Sequence, residues 1–458
     1  MFRSFIGDRA FYYKLLVVTV PLVVQQLITT SVQLVDNIMV GRLGEEAISA
    51  VSVINQLYFV VIVILFGTMG GAGIYTAQFF GSKNFEKLRQ TFRFKLLMGI
   101  FLSVLSLVIL TVFGNTLIRL FTTTDKTVNL GLDYLNIVRF GIFPLALSIA
   151  ISTTFREIGI TKQIMVISII AVLINTFLNY GLIFGNFGLP RLETVGAAYA
   201  TLLARFIELG LMVVLVLKKG KLFSTRPAHM FRIDRSVLKG ILIVAIPLTL
   251  NEAFWSLGQT AFLHAYSTRG DSALAAMNIT NAISQLVFVT FAAIGTGVAV
   301  LVGNTLGSNQ LEKARDNARK LIAASVITAV FAGFILFGLS FFVVDLYDVT
   351  ELTRNAAIFN IRVNAFFIPV FSLNVALYFV LRAGGDTRST LMMDSGYMWV
   401  IAVPVAIFLA YFTLLPITIM YIIIQALEVP KSLFAVHRYK KAKWLRNLAL
   451  PNKLIKDL

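Results

Sequence analysis

The side chains that could do chemistry in this chain are the few polar and acidic groups set inside long apolar tracts. A carboxylate there is costly and needs a partner or a task. Asp36 stands in Ser31-Val-Gln-Leu-Val-Asp-Asn-Ile-Met-Val-Gly41, near the end of the first tract. It reads as a proton- or sodium-binding carboxylate, with a surface or capping acid as the alternative. Asn175 and Asn179 are four residues apart and so share one helical face. They can offer two amide oxygens to a cation or a protonated acid, or simply hydrogen-bond a neighbouring helix. Thr201 could add a hydroxyl oxygen, since carboxylate, amide and hydroxyl oxygens suit a hard cation such as Na⁺. Glu252 follows Pro247 by five residues, with Trp255 and Gln259 after it at helical spacing. A carboxylate beside an aromatic ring suits an organic cation, and a structural acid paired with a base is the competing reading.

Other chemistries lack their residues. There is no cysteine, so disulfides, thiolate catalysis and cysteine-held metals are excluded, and the three histidines are isolated in sequence. No Gly-x-x-x-x-Gly-Lys-Ser/Thr loop and no His-Glu-x-x-His pair occurs. No cofactor and no nucleic acid is expected, and nothing in the sequence assembles the constellation of an enzyme.

The elements that position these groups are membrane spans. The chain is 58% hydrophobic and only 14% charged, against roughly 45–50% apolar residues in a soluble domain. Its apolar runs do not alternate with polar residues as barrel strands would, so helices are the reading. Spans are predicted near 14–40, 48–78, 92–118, 131–155, 163–185, 194–218, 237–266, 273–302, 316–345, 355–382, 390–414 and 417–436. No removable signal peptide is expected, and the first span serves as its own insertion signal.

The net charge of +18 is a topology signal. Of 40 basic residues, 31 lie in the termini and alternate connections, and only six in the opposite set: Arg42, Arg119, Lys126, Arg191, Arg269 and Arg354. Excess Lys and Arg mark the cytoplasmic side, so both termini are expected there.

The chain also repeats itself. A shift of 226 residues lays Gly81-Ser-Lys-Asn-Phe-Glu-Lys-Leu-Arg89 on Gly307-Ser-Asn-Gln-Leu-Glu-Lys-Ala-Arg315, and pairs Pro21, Asn55, Arg156 and Gly159 with Pro247, Asn281, Arg382 and Gly385. Six spans per half is even, so the repeats are parallel, related by a pseudo-two-fold axis along the membrane normal. The expected fold is an all-α polytopic membrane protein of two six-helix bundles. Its parts are an N-lobe over 1–217, a basic linker over 218–236, a C-lobe over 237–436 and a basic tail over 437–458. Arg156 and Arg382 are expected to neutralise helix C-termini. The acids break the symmetry, because Glu252 falls opposite Gln26 and Asp36 opposite Phe262.

Several stretches closely resemble the multidrug and toxic compound extrusion (MATE) family. They include Pro21-Leu-Val-Val-Gln-Gln-Leu through Val35-Asp-Asn-Ile-Met-Val-Gly-Arg-Leu-Gly44, Gly73-Ile-Tyr-Thr-Ala-Gln-Phe-Phe-Gly81, Asn175-Thr-Phe-Leu-Asn-Tyr-Gly and Asn251-Glu-Ala-Phe-Trp-Ser-Leu-Gly258. The resemblance covers essentially the whole chain. It implies an antiporter that expels amphipathic, often cationic, compounds in exchange for H⁺ or Na⁺ by alternating access. Asp36 then matches the family's first-helix acid, Asn175 the fifth-helix amide and Glu252 the seventh-helix acid of several branches. Asn179 stands where some prokaryotic members resemble one another in carrying a second aspartate, and the tenth span lacks the acid of another branch.

The expected protein is therefore a monomeric, multi-pass transporter of the plasma (inner) membrane, its partners lipid and small organic substrates. Cation coupling is assigned to Asp36, Asn175, Asn179 and Thr201, and H⁺ is preferred to Na⁺. Substrate contact is assigned to Glu252 and Trp255 with Gln33, Asn55, Met277, Asn281 and Tyr378. The competing readings are a lipid-linked saccharide flippase of related two-lobed architecture and a membrane receptor or scaffold.

Overall fold

The computed structural model describes residues 6–122, 124–223, 229–347 and 349–450. Among them, eleven helices are long and apolar enough to cross a bilayer. They are α1 (Arg9–Gly41), α2 (Glu45–Gly81), α3 (Phe85–Arg119), α4 (Asp125–Glu157), α5 (Lys162–Phe184), α6 (Glu193–Lys218), α7 (Arg235–Ser267), α9 (Leu311–Leu339), α10 (Glu351–Ala383), α11 (Thr387–Phe412) and α12 (Ile417–Lys440). Between α7 and α9 runs α8 (Asp271–Val298), extended by a π-helical turn at Ala299–Gly303 and a last turn at Asn304–Gly307. Every predicted span thus falls on a helix, six in each repeat. Helices satisfy their backbone groups internally, which lipid demands.

The outer surface confirms the solvent. Phe334, Phe342 and Phe366 are more than 70% exposed, a pattern that water would punish and lipid tails accept.

The helices pack into two compact units. One comprises Val20–Thr76 and Phe85–Leu242, in which α3 packs on α4 and α5 on α6. Its core holds Ile54, Ile118, Leu135, Ile183 and Ala198. Gly196 lets α5 and α6 approach closely, since a Cβ there would sit 2.4 Å from the Leu182 carbonyl oxygen. The other unit runs from Ile243 onward and also takes in the chain up to Thr19 and Ala77–Asn84. Its core includes Val302, Leu321, Leu377, Met420 and Trp444. In this grouping the start of α1 and the end of α2 go with the helices of the second repeat.

The repeat is written in the backbone as well as the sequence. Gly44, Lys83 and Gly159 have positive φ angles of 113°, 58° and 85°, and the residues 226 positions later, Gly270, Asn309 and Gly385, have 91°, 61° and 80°. The helix ends close alike: Asn84 N–H donates to the Phe79 carbonyl as Gln310 does to Thr305, and Ile160 to Phe155 as Asp386 does to Leu381. These are left-handed C-terminal caps that satisfy the last carbonyls of each helix.

Inside the second unit the two equivalent helix ends meet reciprocally. A Cβ on Gly81 would lie 1.8 Å from the Asn304 carbonyl oxygen, and one on Gly307 would lie 1.9 Å from that of Gln78. The tail after α12 seals this crossing. Gln78 Nε2 donates to the Ala383 carbonyl at 2.8 Å, Leu448 N–H donates to Gln78 Oε1 at 2.6 Å, and Gly384 leaves room for the Trp444 carbonyl.

Candidate functional site

The polar groups of the spans gather into separate sites in the two units. In the unit built on α1–α6, α5 aims Asn179 at α1: Asn179 Nδ2 donates to Asp36 Oδ1 at 2.9 Å. The same nitrogen lies 3.4 Å from Asn175 Oδ1, one turn back. Asn179 is 3% exposed, and its Oδ1 has no hydrogen-bond donor among the described residues. Thr201 on α6 is paired with the hydroxyl of Tyr134, a buried residue of α4 within electrostatic range of Asp36. So Asp36, Asn175 and Asn179 come together, whereas Thr201 meets Tyr134, which was missed for want of any sequence motif. Gln33 and Asn55 are exposed side chains of the same unit.

The electrostatics of Asp36 set it apart. Among the described residues, the other carboxylates that are not exposed are Glu46, Glu157, Glu208, Glu252, Asp316, Asp386, Asp394 and Glu428, and each has a base within 3.8 Å. Asp36 has an amide donor and, among the described residues, no ion pair.

In the other unit, Glu252 on α7 faces α10. Tyr378 donates its hydroxyl hydrogen to Glu252 Oε1 at 3.4 Å, and Arg382 Nη1 stands 3.8 Å from the same oxygen. Trp255 is half-buried one turn further along α7, and Asn281 is exposed. Met277 is 3% exposed and packs in the core, its sulfur accepting from Asn360 Nδ2 at 3.6 Å. Arg156 and Arg382 stand in the last turns of α4 and α10, and each also reaches to the first helix of its own repeat, Arg156 Nη2 donating to Gln25 Oε1 at 3.3 Å and Arg382 pairing with Glu252.

Two ionic clusters escaped the sequence reading. Lys95, fully buried, binds Glu157 at 2.6 Å, although its position near a basic loop suggested a topology charge. Lys431 bonds Asp394 at 2.8 Å and Glu428 at 3.4 Å. The available signal was position: Asp394, Glu428 and Lys431 all fall inside predicted spans.

An acid in each repeat, Asp36 and Glu252, thus stands on a twelve-helix frame with a 226-residue internal repeat. A family model named MatE matches residues 21–181 and 247–412. The chain belongs to the MATE family. It is 26% identical to the probable multidrug resistance protein YoeA of Bacillus subtilis, over 93% of this chain and 92% of that one. It is likewise 26% identical to a probable multidrug resistance protein NorM of Halalkalibacterium halodurans, over 87% of each. A solved structure described as the outward-facing conformation of a multidrug resistance MATE family transporter of the MOP superfamily superposes with TM-score 0.85 at 19% identity, covering 96% of this chain and 98% of the other. A MOP superfamily transporter from Pyrococcus furiosus gives the same score at 20% identity over the same shares. At such identities the structures attest the fold. This MATE protein is a transporter and not an enzyme.

Proposed function

We propose that this MATE protein exports amphipathic, often cationic, organic compounds in exchange for an inward-moving cation, H⁺ in preference to Na⁺. The observation that carries the proposal is the uncompensated carboxylate of Asp36, beside the orphaned Oδ1 of Asn179. A lone negative charge in an apolar bundle calls for one positive charge, and a neighbouring acceptor without a donor calls for a proton or a cation. Binding that charge changes what holds α1 to α5, and a ligand that prefers one conformation shifts the balance toward it. Asn175 and Thr201 complete the coupling site in this reading. Glu252, with Trp255 and Tyr378 beside it, is the acid that meets the substrate's positive charge. The basic loops and tail face the cytoplasm, with both termini there and the protein in the plasma membrane as a monomer. No cofactor is required.

The test is efflux of ethidium from proteoliposomes under an imposed proton gradient and, separately, a sodium gradient, for the wild type and Asp36→Asn. Gradient-driven efflux that disappears in Asp36→Asn supports the antiporter and identifies its ion. Wild-type protein that moves no ethidium under either gradient refutes it.

A further inference from the structure

Where the α10–α11 turn, the first half of α7 and the tail after α12 come together, the second unit holds a pocket of about 110 Å³. About 10–15 Å³ of such space accommodates a water, so a group several times that size fits. Arg388, Arg438, Lys443 and Arg446 line it, and Asp386 is the one acid among the lining residues. Arg438 takes both oxygens of Asp386, Nε donating to Oδ2 at 3.0 Å and Nη2 to Oδ1 at 3.3 Å, and the Ser389 hydroxyl donates to Oδ1 at 2.7 Å. Arg388, Lys443 and Arg446 are in no ion pair among the described residues. Three positive charges therefore line the pocket without a counter-charge there.

These bases are fixed in place by packing. Trp444, 1% exposed, lays its carbonyl against Gly384, where a Cβ would lie 1.7 Å away, and its ring stacks on Tyr439 at 5.5 Å. Gly385, at a φ of 80°, leaves room for Leu448, whose Cδ1 would lie 2.9 Å from a Cβ there. Lys443 and Arg446 thus flank a residue clamped to the turn that carries Arg388. The first repeat has the frame without the anchor: Lys162 is the counterpart of Arg388, but Ile160 is that of Asp386 and cannot pair with an arginine. Bases that only marked one side of the membrane would need neither the clamp nor the anchor.

Apolar surface runs along α7 from the pocket. Ile243 lines the pocket, and Ile246 and Leu250 follow at helical spacing on the same face, 55% and 44% exposed. Guanidinium groups bind phosphate through paired hydrogen bonds, and lysine binds it as a point charge. Basic pockets between the ends of membrane helices suit anionic headgroups. A cationic pocket at the end of an exposed apolar stripe matches a molecule with a phosphate head and acyl tails, whereas free phosphate would use only the bases. We propose that this pocket binds the phosphate headgroup of an anionic phospholipid, in the leaflet that meets the α10–α11 turn and the tail. The bound lipid bridges Arg388 of the turn to Lys443 and Arg446 of the tail. The site does not depend on the antiport proposed above.

The experiment is native mass spectrometry of the delipidated full-length protein, titrated with phosphatidylglycerol or with phosphatidylcholine. Thermal midpoints are measured in the same lipids and in inorganic phosphate. Wild type is compared with a pocket variant, Arg388→Gln with Lys443→Gln, and a control, Lys440→Gln with Lys441→Gln. The control removes the same charge from exposed positions that do not line the pocket. Wild type should hold one phosphatidylglycerol in preference to phosphatidylcholine. The pocket variant should bind it roughly thirtyfold more weakly, with the control unchanged. Equal losses in the two variants, or no loss in the pocket variant, overturn the site, as does equal binding of phosphatidylcholine. A midpoint raised as much by inorganic phosphate as by phosphatidylglycerol assigns the pocket to a soluble anion and overturns the lipid. None of these readouts involves ethidium efflux, so a failure of the antiport reading leaves them standing.

Discussion

A single amide separates the two fates of a buried acid in this protein. Asp36 relies on Asn179, and a hydrogen bond to a charged group contributes about 1.5–3 kcal/mol. Asn179→Ala should therefore lower gradient-driven efflux by roughly ten- to a hundredfold, with the protein still folded, measured as initial rates at matched reconstitution. Glu157 illustrates the opposite fate, fully matched to Lys95 in the core. Breaking such a pair strands a buried charge at a cost of about 3–5 kcal/mol. Lys95→Met should sharply lower the thermal midpoint in detergent, and adding Glu157→Gln should recover much of the loss. A double variant as unstable as the single would show that the pair is not the source of the effect.

Glycine makes the helix crossings, and its effect depends on what lies opposite the missing Cβ. At Gly81 a methyl group would meet backbone at 1.8 Å, and at Gly384 the Trp444 carbonyl at 1.7 Å. At Gly210, inside α6, it would meet nothing within 4 Å. Alanine is the better helix former by about 1 kcal/mol. The same substitution should thus have two signs: Gly210→Ala neutral or stabilising, Gly81→Ala and Gly384→Ala destabilising. Thermal unfolding of the three purified variants checks this, and equal midpoints would contradict the close approaches.

Over the whole molecule, the proposed topology rests on the asymmetry of basic residues, which mark the cytoplasmic side. The absence of cysteine makes the native chain a ready background for labelling. With an impermeant maleimide, Glu45→Cys should react in intact cells and Lys219→Cys only after permeabilisation. The reverse pattern would invert the proposed topology and, with it, the direction of transport.

Spans, repeat and acids were legible in the sequence because each rests on a local or periodic property. Hydrophobic length marks a helix in lipid, an offset of 226 residues survives in Gly81 and Gly307, and a carboxylate in an apolar tract is conspicuous wherever the chain goes. Asn175 and Asn179 could be assigned to one face because helical geometry fixes their spacing. Partners could not be read, because pairing depends on distance across helices that are far apart in the chain. Lys95 looks like a loop charge until folding places it against Glu157, and Lys431 meets Asp394 of the preceding helix only once the two helices pack. Nor could any local pattern foretell that Ala77–Asn84 would pack with the second repeat, since that depends on Gly81 meeting the Asn304 carbonyl and Gly307 the Gln78 carbonyl, far away in the chain. Sequence determined the membrane fold and the candidate acids; tertiary structure decided which acid was left without a counter-charge, because neutralisation is a property of neighbours in space.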